Sequence, residues 1–115
     1  MAKMDTRALY KRVLGEAPMG QAEFFDYYND CVRTLSARYG SRYVAEEGSS
    51  LRPVDSLDAQ SGVRDIYFTP IAEGIIAKKT GDRERRADSI AGAEESFRTV
   101  WRETVARKRM KGDRW

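Results

Sequence analysis

The side chains of this 115-residue chain that could carry chemistry are its acids, its bases, its tyrosines and one thiol, because it has no histidine and a single cysteine. Lack of histidine removes the commonest general base and the commonest metal ligand. Glu46, Glu47, Asp55, Asp58 and Asp65 gather in one stretch, and a carboxylate pair can move protons or hold Mg²⁺ when one member is buried. Here they lie among Gly, Ser and Arg, a setting that favours solvated loop charges. Lys78, Lys79, Arg83, Arg85 and Arg86 crowd around Gly81 and Asp82, where basic side chains beside a helix start could bind phosphate. Asp82 and Glu84 partly neutralise them, so a solvated turn is expected. Gly74 and Gly81 make no phosphate cradle, since neither follows a strand within a glycine-rich turn. Cys31 falls on the apolar face of a predicted helix, so a buried, inert thiol is expected over a reactive one. No catalytic set, no metal site and no cofactor is expected.

The remaining charge feature is the C-terminal segment 107–115. The net charge is only +3, yet Arg107, Lys108, Arg109, Lys111 and Arg114 stand against one acid, Asp113, and precede Trp115. Two readings are open. Cations also suit the negative end of a helix, so the segment can be a frayed, solvated helix end. Alternatively it is a tail that docks on a partner or on nucleic acid, with Trp115 as its anchor.

These residues have to be positioned by helices. With 41% apolar residues a modest core is affordable, and one domain spanning residues 1–115 is expected. Asp5 to Leu14 suits a first short helix, with Ala8, Leu9, Val13 and Leu14 on one side, stopped by Gly15 and Pro18. Phe24, Phe25, Tyr28, Cys31, Val32, Leu35 and Tyr39 keep helical spacing for four turns up to Gly40. The aromatic rings in that helix resemble a base-stacking platform, but at helical spacing core is expected. Residues 40–62 form a long loop, irregular or folded into a short hairpin between extended segments at 41–45 and 63–68. Loops of that length tend to be functional or disordered, and an exposed partner contact is expected here.

Thr69 then caps a short apolar helix with Pro70 at its first position, carrying Ile71, Ala72, Ile75 and Ile76. After Gly81, Asp82 caps a helix of roughly 40 Å running from about Arg83 to Arg109. Its apolar positions are Ala87, Ile90, Ala93, Phe97, Val100, Trp101, Thr104 and Val105. Gly92 interrupts it, marking a close crossing or a bend. The core is therefore expected to hold Phe24, Phe25, Tyr28, Val32, Leu35, Ile71, Ile75, Phe97, Val100 and Trp101. The fold class is mainly α, a small helical bundle with a long C-terminal helix. No secretory signal and no membrane span is expected, and the lone cysteine suits a reducing compartment.

The order of these parts resembles the small helical adaptor proteins of the tailed-bacteriophage head-to-tail connector. It comprises the helix rich in Phe and Tyr (24–39), an irregular middle, the Pro-initiated helix (70–79), the Thr80-Gly81-Asp82 break, and a long helix with Phe97 and Trp101 before a basic tail. The resemblance covers about residues 20–109 and assigns no residue a role. It implies a non-enzymatic virion protein of the neck, assembled in the host cytoplasm. Such a protein forms a homo-oligomeric ring, commonly twelvefold, that binds the portal and neighbouring tail or neck proteins and lets genomic DNA pass. It would give the tail, Arg107, Lys108, Arg109, Lys111, Arg114 and Trp115, a docking surface on the portal. The length of the 40–62 stretch departs from the pattern. The alternative is a small helical nucleic-acid-binding or regulatory module, which requires a continuous basic face; the interspersed acids speak against one.

Overall fold

The computed structural model describes residues 4–112, with side chains up to residue 108. About 70% of the protein is helical, and no strand forms among the described residues. The first helix, α1 (Thr6–Leu14), starts where Asp5 Oδ1 accepts hydrogen bonds from the amides of Arg7 and Ala8, and it buries Thr6, Leu9 and Val13 along one side. The second, α2 (Gln21–Tyr39), buries Phe24, Tyr28, Cys31, Val32 and Leu35, while Phe25, Tyr27 and Tyr39 are half-buried. The aromatic run is thus mostly packing surface. Gly40, at φ 91°, ends the helix in a conformation that side chains other than glycine's rarely adopt.

The segment after Gly40 is not extended. Ser41–Val44 forms a single helical turn, α3, which drops Val44 into the core and turns the Tyr43 carbonyl to accept the Tyr67 hydroxyl at 2.9 Å. The second expected strand is likewise a 3-10 turn, Asp65–Tyr67, running directly into α4 (Phe68–Thr80). What survives of the hairpin is one antiparallel bridge, Ala45 to Val63. Thr69 is not the cap of α4. The helix begins two residues earlier, with Tyr67 at the cap, and Pro70 occupies the third position, where an amide would still lack an intrahelical acceptor.

The 40–62 stretch is folded onto the body and is not a free loop. Asn29 on α2 clamps it, donating from Nδ2 to the Val54 carbonyl (2.9 Å) and accepting the Val54 amide (2.8 Å). Val54 is enclosed, Leu51, Leu57 and Ala59 pack on the core, and the buried Tyr28 hydroxyl donates to Ser61 Oγ at 2.6 Å. The order of this segment therefore comes from within the chain.

Helix α4 is the central rod, burying Pro70, Ile71, Ala72, Ile75, Ile76 and Ala77 against α1, α2 and the last helix. Gly81, at φ 74°, closes it with its amide on the Ala77 carbonyl. Asp82 Oδ1 then accepts the amides of Glu84 and Arg85 and so caps α5 (Arg83–Gly112), as expected. At 1.5 Å per residue this helix is about 45 Å long; the protein extends 55 Å along its longest axis.

The face α5 turns to α4 differs from the expected one. It consists of Ser89, Gly92 and Ala93, continued by Ser96 against the 3-10 turn and by the buried Val100. Ser89 Oγ donates to the Pro70 carbonyl (2.7 Å), Ser96 Oγ donates to the Ile66 carbonyl (2.9 Å), and a Cβ on Gly92 would lie 3.3 Å from the Pro70 ring. Gly92 therefore marks a close crossing. Small residues let the two backbones approach, and that displaces the large side chains to the flank. Trp101, expected in the core, is 47% exposed, and Ile90 is 45% exposed. Phe97 is only half-buried, stacked on Tyr39 at 4.6 Å and edge-on to Tyr43 at 5.5 Å.

Candidate functional site

The surface of interest lies along α5, and a cluster of charges holds its N-terminal end in place. Arg85 reaches Glu16 after α1 (2.6 Å) and Glu73 on α4 (3.3 Å), and Arg12 bonds both acids as well. Hydrogen bonds from Arg85 and then Arg12 hold the Glu16 carboxyl down, from 4.5 to about 2, while Glu16 raises Arg85 further above neutrality. A carboxylate with a depressed folded-state pKa contributes stability above its ordinary value and loses it as the pH falls through the folded value. The thermal midpoint is therefore expected to decline between about pH 4.5 and pH 2, and Glu16→Gln should flatten that part of the profile. A pH series of thermal melts on both proteins checks this; parallel profiles would contradict it.

Beyond this anchor, Ile90, Phe97 and Trp101 are spaced by seven and four residues, which puts them on one stripe of α5. The stripe is closed in the middle by Tyr39 and Tyr43 and open at both ends. Large apolar side chains exposed in line on one helix are a usual sign of a contact surface.

Of the expected tail site, Arg107 and Lys108 are described. Arg107 is bound to Glu47 at 2.8 Å and so ties α5 to the folded loop, while Lys108 is exposed beside it. Arg109 and Lys111 belong to the helix, but their side chains, together with Arg114 and Trp115 entirely, lie outside the described residues. Arg107 and Lys108 line a polar cleft of about 630 Å³ with Arg42, Glu46, Ser49 and Arg64. Glu46 was expected to be solvated. It is instead buried, its Oε2 enclosed without a hydrogen-bond partner among the described residues, as is Nε of Arg64. Backbone bonds on both sides draw them in: the Glu46 amide binds the Gly62 carbonyl and the Arg64 amide binds the Val44 carbonyl.

The other charges are largely engaged with each other. Lys78 binds Asp30 (2.5 Å), Lys79 binds Glu23 (2.9 Å) and Arg7 binds Asp58 (2.7 Å). Burial pushes the Cys31 thiol up to about 11, so it is protonated near neutral pH. Among the described residues, no three potential ligands of the His, Cys, Asp or Glu type come together as a metal site. Nor is any helix among them long and apolar enough to cross a membrane.

No known family model matches the chain, and neither a curated protein nor a solved structure resembles it significantly. The surface itself is thus the ground for a functional reading. Sequence periodicity found the stripe residues but assigned two of them, Phe97 and Trp101, to the interior. The signal that would have placed them outside is the set of small residues Ser89, Gly92, Ala93 and Ser96, at offsets of three, four and seven, which already forms a complete helix-packing face.

Proposed function

We propose that this protein is a non-enzymatic structural adaptor of a phage neck, forming a ring that joins the portal to the tail and lets DNA pass. The resemblance in the order of its elements motivates the reading. The observation that carries it is the exposed Trp101 on the flank of a helix about 45 Å long, a surface suited to contact between copies. Ring subunits bury such a surface on each neighbour, since a head-to-tail contact closes when its rotation divides a full turn. The engagement of Lys78, Lys79, Arg85 and Arg107 with acids supports this over the nucleic-acid-binding alternative, because it breaks up a continuous basic face.

Native mass measurement over a range of concentrations, alone and with a portal ring, tests the reading. Closed rings are expected, and Trp101→Glu should abolish them while leaving the helical circular-dichroism signal intact. Truncation after Met110 should preserve folding and self-assembly but release the portal. A chain that stays monomeric under all these conditions would overturn the proposal.

A further inference from the structure

Helices α2 and α5 lie on the same central rod, α4, and meet where Tyr39 stacks on Phe97. Ahead of that stack they diverge and leave an open groove of about 550 Å³. Its floor is α4 at Ile71, Gly74 and Ala77, and its walls are Leu35 on α2 and Ile90 and Ala93 on α5. Gly74 keeps the floor low, because a Cβ there would lie 2.9 Å from Ser89 Oγ and 3.2 Å from Cys31 Sγ. Along α5 the groove runs from Arg83 to Ala93, about 15 Å, or close to three helical turns. Helices α1, α2 and α5 flank α4, and among the described residues no helix covers the groove between α2 and α5.

The rim is cationic on both sides. Arg38 stands on the α2 wall, Arg83 and Arg86 on the α5 wall, and Lys78 on α4 is held by Asp30. The acid of the rim, Asp82, spends its carboxylate on the cap of α5 and on Arg85. Arg38, Arg83 and Arg86 are exposed, with no carboxylate within 4.0 Å among the described residues. Arg83 and Arg86 are also badly placed for their own helix, because cations in the first turn oppose the positive end of the macrodipole. Arg85, in the same turn, is paired with Glu16 and Glu73, whereas Arg83 and Arg86 have only the neighbouring Glu84 and the engaged Asp82 to offset them. Cations left without a direct ion pair at such a place are available to an acidic partner.

We propose that this groove receives a two- to three-turn amphipathic helix with acidic flanks from a different protein, completing a four-helix arrangement around α4. The apolar stripe of the incoming helix covers the exposed Ile90 and closes over the groove above Leu35 and Ile71, which are themselves already buried, and its acids meet Arg38 on one side and Arg83 and Arg86 on the other. Helix α1 is a poor match, since it carries Arg7, Lys11 and Arg12, and on α2 Glu23 and Asp30 are already bound to Lys79 and Lys78. The self-contact proposed above is placed at Trp101, beyond the Tyr39–Phe97 stack, so the two surfaces can be tested separately.

Two fluorescein-labelled synthetic helical peptides, with the same leucine stripe and flanked by Glu in one and Lys in the other, are the probes. Anisotropy titration of the full chain is expected to show the Glu peptide binding about tenfold tighter, a ratio that three rim charges can supply, and this preference should shrink with added salt. Amide shift mapping should place the Glu peptide on Leu35, Ile71 and Ile90. Combined Arg38→Glu, Arg83→Glu and Arg86→Glu, all exposed positions, should invert the preference, and Ile90→Asp should weaken both peptides. Equal affinities, no binding, or shifts confined to other surfaces would overturn the proposal. So would a self-association that Ile90→Asp abolishes and Trp101→Glu does not, because a second copy would then fill the groove.

Discussion

Phe24→Ala is expected to lower the stability by about 3 to 5 kcal/mol, the usual cost of emptying a buried aromatic site. Phe24 is fully enclosed, with the rings of Tyr10, Phe25 and Tyr28 at 4.9, 5.7 and 6.0 Å. Collapse around the gap is hindered, since the Tyr10 hydroxyl is held on the Met19 carbonyl and the Tyr28 hydroxyl on Ser61. Against a total of about 5 to 15 kcal/mol for a domain, such a loss moves the urea midpoint far to the left with an unchanged slope. Trp101→Ala is expected to do the opposite. A ring 47% exposed on the flank of α5 should leave the midpoint within about 1 kcal/mol of the parent, as surface substitutions do. If both variants lost the same stability, Trp101 would be part of the core, and the contact surface argued for α5 would disappear with it.

That contrast also shows where the sequence is a good guide. Punctuation was legible: Asp5 and Asp82 cap as their positions imply, and Gly40 and Gly81 end helices with left-handed or related backbone. So was the interior of α2, because a period kept over four turns leaves only one face to bury. The helix α5 was misjudged in orientation. Its largest apolar residues were taken to define the buried face, whereas contact with α4 is set by how near two backbones can come, and Gly92 and the two serines serve that end. The short runs at 41–45 and 63–68 contain Tyr, Val, Ile and Phe, which favour strands; what decides them is distant. Asn29 on α2 and Val63, the latter accepting the Met4 amide, draw the connecting segment onto the helices, and this leaves the bridge from Ala45 to Val63 and no strand among the described residues. Single polar residues that bind backbone 25 positions away leave no local pattern. The groove between α2 and α5 was equally invisible, being a property of how two helices diverge, although Lys78, Arg83 and Arg86 on its rim stood out as part of a cluster around Gly81, and Arg38 did not.

The order of the 40–62 segment makes Gly62 its most sensitive point. Gly62 has φ 80°, and a Cβ there would sit 2.5 Å from the Ser50 carbonyl oxygen and 3.3 Å from its carbon. Both are backbone atoms, so no side chain can swing aside. The strands of chain that would have to part are tied together: Arg52 N–H to the Ser61 carbonyl, Glu46 N–H to the Gly62 carbonyl, and Arg64 N–H to the Val44 carbonyl. Gly62→Ala is therefore expected to cost about 2 to 4 kcal/mol, of which roughly 1 to 2 is the left-handed backbone and the rest the clash. Gly48 supplies the control, since it has φ 78° and nothing within 4 Å of where its Cβ would lie. Gly48→Ala should cost the backbone part alone. Urea titrations of the two variants separate the terms, and equal losses would remove the clash from the account. Hydrogen exchange adds the location. In Gly62→Ala the amides of Val54 and Arg64 should lose protection while those of α4 keep it, because the segment opens before the rod it covers. Opening there would also free Glu47 from Arg107, so the same substitution should loosen the outer turns of α5.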